Sequence, residues 1–545
     1  MKKSRIFFPV LLVLLWLIMI VIINPTGNFP LNDDWQYSRP VWYLINKGYY
    51  FSPDQYSQII ALQVLWGTLF CLPFGFSFTA LRLSTLILSL VGVLAFYFFV
   101  LKISNNKKIS FLCSLILASN PFYISMSCSF MTDVPFLFFS ILAVYFYFNS
   151  IDSGKPVHII LGTLFAISAT LIRQYGLIIP VAYAIASLIY KKPRFLEWWK
   201  YILPAILTMA SLKLTLWWLK HIGSELRPYE GAQVIDFFKK PSDIFSNAFE
   251  RGRLILMYTG FFLLPLLTFT TWQPLAKSSR RGKILVIGFV LLFIPVLITG
   301  LHRLPWGNIV HTYGIGAETL KGLDTRANPN PGFPPALLGI LKTMAFFGGL
   351  LLLINISVMV ANIIKAYSAN SLSKTLIKQL MILTILLGYA ILLFIPHFFF
   401  DRYTLPFIPL TAIAIIVGSD LKINPGTFQF LSYNSILVAI GLFSCVQVRN
   451  YMQWNEARWT ATDYLTKELK ISPHKIDGGY EFNGWNIGTY FPINPKNPTR
   501  SNWFVDDDEY IVTYRSFNGY SIIKLYSYQN YLPYEKRNIF VLHRN

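Results

Sequence analysis

Charged residues are scarce in this chain: Asp, Glu, Lys and Arg make up only 13% of its 545 residues. A soluble protein carries about a quarter, so a globule wetted on all sides is excluded. Acids are the scarcer sign, with 25 Asp and Glu against 47 Lys and Arg and a formal net charge of +22. Such a balance would suit a nucleic-acid partner, but the basic residues form no stripe with interleaved aromatics. They fall in short clusters between apolar runs, which matches the preference of Lys and Arg for cytoplasmic loops and argues for no nucleic acid. Cysteine is nearly missing. Cys71, Cys113, Cys128 and Cys445 lie in or beside apolar segments and none is in a long polar loop, so neither a disulfide framework nor a CxxC metal site follows. No small-x-small cleavage site follows the basic start and long apolar run MKKSRIFFPVLLVLLWLIMIVII. That run is expected to be a retained first helix rather than a removed signal.

What is present is apolar: 54% of residues are hydrophobic and 17% aromatic, with a mean hydropathy of +0.49. Apolar runs long enough to span a bilayer recur along the chain. The reading is a multi-pass α-helical membrane protein of about 13 spans, at roughly 6–23, 80–101, 109–126, 134–149, 157–172, 174–190, 201–219, 253–271, 283–300, 336–364, 376–395, 404–418 and 434–448. With the N-terminus inside, basic clusters such as Lys102, Lys107, Lys108 and Lys191, Lys192, Arg194 fall on the cytoplasmic side, as the positive-inside bias requires. Only Asp152, Glu197 and Asp420 of the acids fall there; the rest lie in outside loops or the tail. The polar chemistry is therefore expected on the outer face of a cell (inner or plasma) membrane, facing the periplasm or exterior.

Two regions are expected. Residues 1–449 form the transmembrane part, with a first outer loop at 24–79 and a Gly/Pro-rich, lid-like outer loop at 301–335. Residues 450–545 form a small α/β domain outside the membrane, with a helix at WNEARWTATDYLTKELK and strands at YIVTYRSF and YSIIKLYSY. The first loop carries two amphipathic stretches, VWYLINKGYY and SQIIALQVLWGTLF, rich in the aromatics of interfacial helices.

The acids that stand out are few. Asp33 and Asp34 sit just past the first span in FPLNDDWQYSRP. Adjacent residues do not share a face, so one can point into a cavity while the other caps or orients its neighbours. A plain helix cap is the competing reading. Asp133 opens the fourth span in SFMTDVPFLFF; it too suits a cap, but an ionisable residue at a membrane boundary is a functional candidate. Five cations lie at outer-leaflet depth against the positive-inside bias: Arg82, Arg173, Lys213, Lys342 and Arg402. Singly each could snorkel. Together they suggest a basic ring for a phosphate, for which the planar Arg fork is well suited. Carboxylates, such cations and interfacial aromatics point to a lipid phosphate substrate.

The order of these motifs resembles the GT-C superfamily of membrane glycosyltransferases, the group of the protein O-mannosyltransferases and aminoarabinose transferases that use dolichyl- or undecaprenyl-phosphate sugars. The resemblance rests on DDWQY (Asp33 to Tyr37) after the first span, MTDVPF at a later one, DRYTLP (Arg402 and Tyr403) at a late one, and an outer C-terminal domain. It implies an inverting transfer of a hexosyl or pentosyl group from a polyprenyl-phosphate donor to a hydroxyl on a glycan, lipid or protein. Asp33 would be the base with Asp34 as its alternative, and Asp133 would orient sugar or acceptor, or hold the partner of Asp33. Arg402, Arg173 and Arg82, with Tyr37 and Tyr403, would meet the donor phosphate. One departure is plain: some relatives place Lys-Pro after the interfacial helices to hold phosphate, whereas this chain has only SPDQYSQII and Gln63 there. No cofactor is required by this logic, and no metal is assigned; His302, His311 and His397 could still join a carboxylate around a divalent ion. Two other classes compete. A flippase of lipid-linked sugars would want inverted repeats and midplane charges, which are not found. A non-catalytic assembly protein would be indifferent to substitution of Asp33.

Overall fold

The computed structural model describes residues 3–52, 58–192, 194–224, 241–270, 280–311, 314–316, 319–320, 334–395, 399–418, 426–488, 505 and 507–545. Helix α1 (Lys3–Ile23) is the first apolar run. Two short helices follow in the first loop, α2 (Asp34–Lys47) and α3 (Ala61–Cys71), matching the two interfacial stretches. Gly48 ends α2 in the left-handed region, at φ 78°, where a Cβ would be strained. Next come α4 (Phe78–Ser104), α5 (Lys107–Ala118), α6 (Pro121–Ser127), α7 (Asp133–Ser153), α8 (Pro156–Thr170), α9 (Ile178–Lys191) and α10 (Trp199–His221). The second half adds α11 (Pro241–Thr270), α12 (Arg280–Gly300), α13 (Pro335–Ser368), α14 (Lys374–Phe394), α15 (Phe407–Gly418), α16 (Thr427–Asp463) and α17 (Tyr480–Ile487).

Among the described residues, ten helices are long and apolar enough to cross a membrane, or eleven if the bent pair of α5 and α6 counts as one span. The thirteen expected segments are all helical, and the difference in count has two causes. The segment expected at 109–126 is broken by a 62° bend. Asn120 leaves the helical region there and caps α6 through its side chain, and Pro121 takes the first helical position, where a missing N–H costs nothing. Helix α8 is 15 residues long, about 23 Å at 1.5 Å per residue, which is short of a hydrocarbon core of about 30 Å. Helix α9 continues directly from a 3-10 turn at its start and is not among the ten. Their facing ends meet at Arg173, one residue before a single 3-10 turn at Gln174–Leu177.

Close packing sets the rest of the bundle. Helices α11 and α13 cross at Gly260 and Gly348, where a Cβ on Gly260 would lie 2.2 Å from the Gly348 carbonyl carbon. Small residues permit that approach in lipid, where apolar burial does not drive helices together. Helix α16 is 37 residues long, about 55 Å, so the last span and the tail helix expected at 454–470 are one continuous element across residue 450. Beyond the bundle its final turns pack Trp454, Ala457 and Ala461, with Leu465 just past its end, against Val512, Ile539 and Val541 of a sheet.

A separate hairpin of β1 (Val310–His311) and β2 (Gly314–Ile315) lies in the 301–335 loop, and the strands of the tail sheet lie side by side as Ile476–Asp477 (β3), Tyr510–Thr513 (β4), Tyr534–Arg544 (β6) and Tyr520–Tyr531 (β5). Strand β3 (Ile476–Asp477) runs parallel to β4 (Tyr510–Thr513), while β5 (Tyr520–Tyr531) and β6 (Tyr534–Arg544) form a long antiparallel pair. The expected strands YIVTYRSF and YSIIKLYSY correspond to β4 and β5.

Candidate active site

The acidic pair divides its work. Asp34 is wholly buried. Its Oδ1 accepts from the Leu31 amide at 2.5 Å and its Oδ2 from the Phe130 amide at 3.3 Å, so it ties the first loop to the turn before α7. Burial pushes its carboxyl up to about 8, against the pull of Arg82 and the two amides. In the unfolded chain the same group ionises near 3.8. Between those values the folded state keeps a proton that the unfolded state has lost, so Asp34 lowers stability as pH rises through that window. Thermal stability should therefore decline from about pH 5 to about pH 8, and Asp34→Asn should flatten the decline. An unchanged slope would place the titration on another group.

Asp33 stands at the start of α2 with no side-chain cap bond, so its carboxylate is turned to other work. Its Oδ2 lies 3.0 Å from Nη2 of Arg402, and its Oδ1 accepts from the Tyr480 hydroxyl at 2.8 Å. It retains 24% exposure while Arg402 has 3%. Nε and Nη1 of Arg402 are buried with no hydrogen-bond partner among the described residues. Unmet donors on a buried cation are costly, and they mark where an acceptor would be held. Tyr403 lies beneath, its ring 5.6 Å from the Arg402 guanidinium carbon and 5.9 Å from that of Arg173.

The second ion pair lies beside the first. Asp133 Oδ2 is 2.9 Å from Arg173 Nη2, both nearly buried, and Arg173 Nε donates to Thr132 Oγ1 at 2.6 Å. Asp133 interacts electrostatically with Arg402 as well as with Arg173. Tyr37 is buried and feels Asp33, Arg402 and Arg173 together; burial first, then Asp33, raises its hydroxyl well above the ordinary range. Residues 33, 37, 133, 173, 402 and 403 are thus one cluster, with two carboxylates balancing two guanidiniums before any ligand arrives.

Three further parts escape a sequence reading. The tail enters the site through α17: Tyr480 donates to Asp33 and accepts from Gln36 Nε2 at 3.1 Å. Next to it, buried Glu481 accepts from Asn32 N at 2.9 Å, Thr319 Oγ1 at 2.6 Å and Arg458 Nη1 at 2.7 Å. One carboxylate so joins the first loop, the 301–335 loop and α16. The third part is Asp401, wholly buried beside Arg402. It accepts from the amides of Ile309 at 3.1 Å and Val310 at 2.6 Å and from that of Arg402 at 2.7 Å, pinning the β1–β2 hairpin to the arginine. The letter before RYTLP was the only available signal for it. Tyr480→Phe should slow turnover about tenfold, the scale of one hydrogen bond to a charged group, with the fold intact. Full activity in that variant would remove the tail from the site.

Of the five cations expected to form a basic ring, only Arg173 and Arg402 come together. Arg82 does not join them. Its guanidinium donates to the carbonyls of Pro25, Gly27 and Phe29, because the chain leaving α1 folds over it. Lys213 is exposed on α10, and Lys342 lines a separate apolar cavity. His311 Nε2 lies 3.0 Å from the Gly316 carbonyl, His302 is in a turn at Leu301–Arg303, and His397 lies outside the described residues. Among the described residues no group of three His, Cys, Asp or Glu could hold a metal ion.

Residues 64–218 match the family model described as dolichyl-phosphate-mannose-protein mannosyltransferase. The matched segment is less than a third of the chain. It contains Arg82, Asp133 and Arg173 but neither Asp33 nor Arg402. No curated protein matches the chain. Among solved structures, the chain is similar to ArnT from Cupriavidus metallidurans bound to undecaprenyl phosphate, at 12% identity and TM-score 0.41 over 99% of this chain and 98% of that one. The apo form of the same ArnT gives 10% identity and TM-score 0.39 over the same shares. The Archaeoglobus fulgidus oligosaccharyltransferase in complex with zinc and sulfate gives 12% and 0.38, over 84% of this chain and 56% of that one.

Proposed function

We propose that the protein is an inverting glycosyltransferase that moves a sugar from a polyprenyl-phosphate donor to a hydroxyl acceptor on the outer face of the cell membrane. The observation that carries this reading is the Asp33–Arg402 pair with its two unmet buried donors. The family match over residues 64–218 supports the reaction class.

The chemistry asks for a base at the acceptor, positive charge at the leaving phosphate, and an in-line arrangement between them. Nη2 of Arg402 holds Asp33 while Nε and Nη1 remain for a phosphate oxygen, so one planar group spaces base and leaving group. Asp33 takes the hydroxyl proton, the oxygen attacks the anomeric carbon from the face opposite the phosphate, and the phosphate leaves onto Arg402 and Arg173. That geometry inverts the anomeric carbon. Asp133 keeps Arg173 in place and offers its carboxylate to the sugar.

The donor's chain needs an apolar path. A cavity of about 410 Å³ lies between α6, α11, α13 and α16, with Leu304, Pro305, Val310 and Ile315 of the 301–335 loop over it. One of its lining residues, Val310, donates its amide to Asp401, the neighbour of Arg402, at 2.6 Å. The isoprenoid tail is assigned to this cavity.

The outer-face placement has its own test. The four native cysteines are all buried, and Tyr534 is 79% exposed in the tail. In right-side-out membrane vesicles, Tyr534→Cys should react with a membrane-impermeant maleimide without permeabilisation. Labelling only after permeabilisation would put the tail, and the site it touches, on the cytoplasmic side.

A further inference from the structure

A second cavity, of about 810 Å³, opens at the same end of the bundle but behind the acidic loop. Its walls are the end of α1 (Ile20, Val21, Ile22), the start of α4 (Leu83, Leu86) and Val446 of α16. Val21 and Leu83 are exposed large apolar residues on helices that cross the membrane, so this wall faces lipid. Its polar end holds Arg82, Arg449, Asn24, Thr26, Thr79 and Tyr531, with no acid in the lining. Both arginines have capacity left. Arg82 is 1% exposed, yet its Nε has no partner among the described residues. Among the described residues Arg449 makes one long hydrogen bond, Nη1 to the Ile23 carbonyl at 3.4 Å, and lies 6.0 Å from the Tyr531 ring.

Two guanidiniums in a lining that holds no carboxylate, above an apolar wall open to lipid, are complementary to a phosphate that carries acyl chains; Asp34, which acts on Arg82, is buried outside that lining. We propose that this cavity binds an anionic phospholipid, its phosphate at Arg449 and Arg82 and an acyl chain along Ile20, Leu83 and Leu86. Arg82 holds the carbonyls of Pro25, Gly27 and Phe29, so the lipid braces the loop that presents Asp33. The proposal does not depend on the glycosyltransferase reading.

The test uses the full-length protein in phosphatidylcholine nanodiscs with and without phosphatidylglycerol, read by native mass spectrometry after detergent release. Wild type should retain phosphatidylglycerol in preference to phosphatidylcholine. Arg449→Gln should weaken that retention about tenfold or more, the worth of a hydrogen bond to a charged group. Leu83→Trp, which fills the apolar wall and keeps both arginines, should weaken it too. Thermal unfolding of each variant in phosphatidylcholine alone checks that the fold is intact. Equal retention by wild type and both variants would overturn the site. Equal retention of phosphatidylcholine would overturn the charge recognition. Displacement by glycerol 3-phosphate as effective as by phosphatidylglycerol would overturn the lipid and leave a free phosphate site. None of these readouts involves sugar transfer, so failure here and failure of the proposed reaction are distinguishable.

Discussion

Transfer by Asp33→Asn should fall by about two to four orders of magnitude, the usual worth of a general base, while the protein folds normally. The substitution keeps shape and size. An amide oxygen can still accept from Tyr480, and 24% exposure leaves water to solvate whatever is unpaired. What is lost is the capacity to take a proton, so turnover should drop far more than donor binding. The assay is transfer from a polyprenyl-phosphate sugar in membranes carrying each variant, with expression checked. Weakened donor binding equal to the loss in turnover would mean that Asp33 serves only to position Arg402.

Arg402→Ala should act on both steps. It removes the buried donors Nε and Nη1, which have no partner among the described residues and which the proposed mechanism places on phosphate, and a charge-assisted contact to phosphate is among the stronger hydrogen bonds. Donor binding should weaken, and turnover should fall at least as far as in Asp33→Asn, because the leaving group loses its countercharge. Arg402→Lys restores a charge but not the planar fork that spans carboxylate and phosphate, so it should recover binding better than turnover. Normal donor binding by Arg402→Ala would move the phosphate to Arg173 alone.

The parts of the site that the sequence made legible were those with a local signature. The Asp pair, Asp133, Arg173 and Arg402 each stood out because a charge at a membrane boundary is expensive and rarely idle. Depth alone could not separate Arg402 from Arg82. The first pairs with Asp33; the second gives Nη1 and Nη2 to backbone carbonyls, which leave no trace in residue type. Tyr480 and Glu481 were invisible for another reason. Their partners Asp33 and Asn32 lie 447 and 449 positions away, and a tyrosine in a chain with 31 of them carries no distinguishing pattern.

Fold followed the same division. Apolar runs marked every membrane helix, because burial in lipid requires a long uncharged stretch. They could not show that α8 stops at Thr170, since the apolar residues Leu171 and Ile172 extend the run past the helix end. Strand β6 was missed because Glu535, Lys536 and Arg537 open it, and three charges in a row resemble a loop.

The most direct measurement compares Asp33→Asn with Asp34→Asn in the same membranes, as transfer per folded molecule. The two residues are neighbours with opposite roles: one partly open and paired with Arg402, the other sealed on two backbone amides. The account predicts that Asp33→Asn folds and fails to transfer, whereas Asp34→Asn is altered in stability and retains turnover within about tenfold in its folded fraction. Near-normal transfer by Asp33→Asn, or a loss confined to Asp34→Asn, would contradict it.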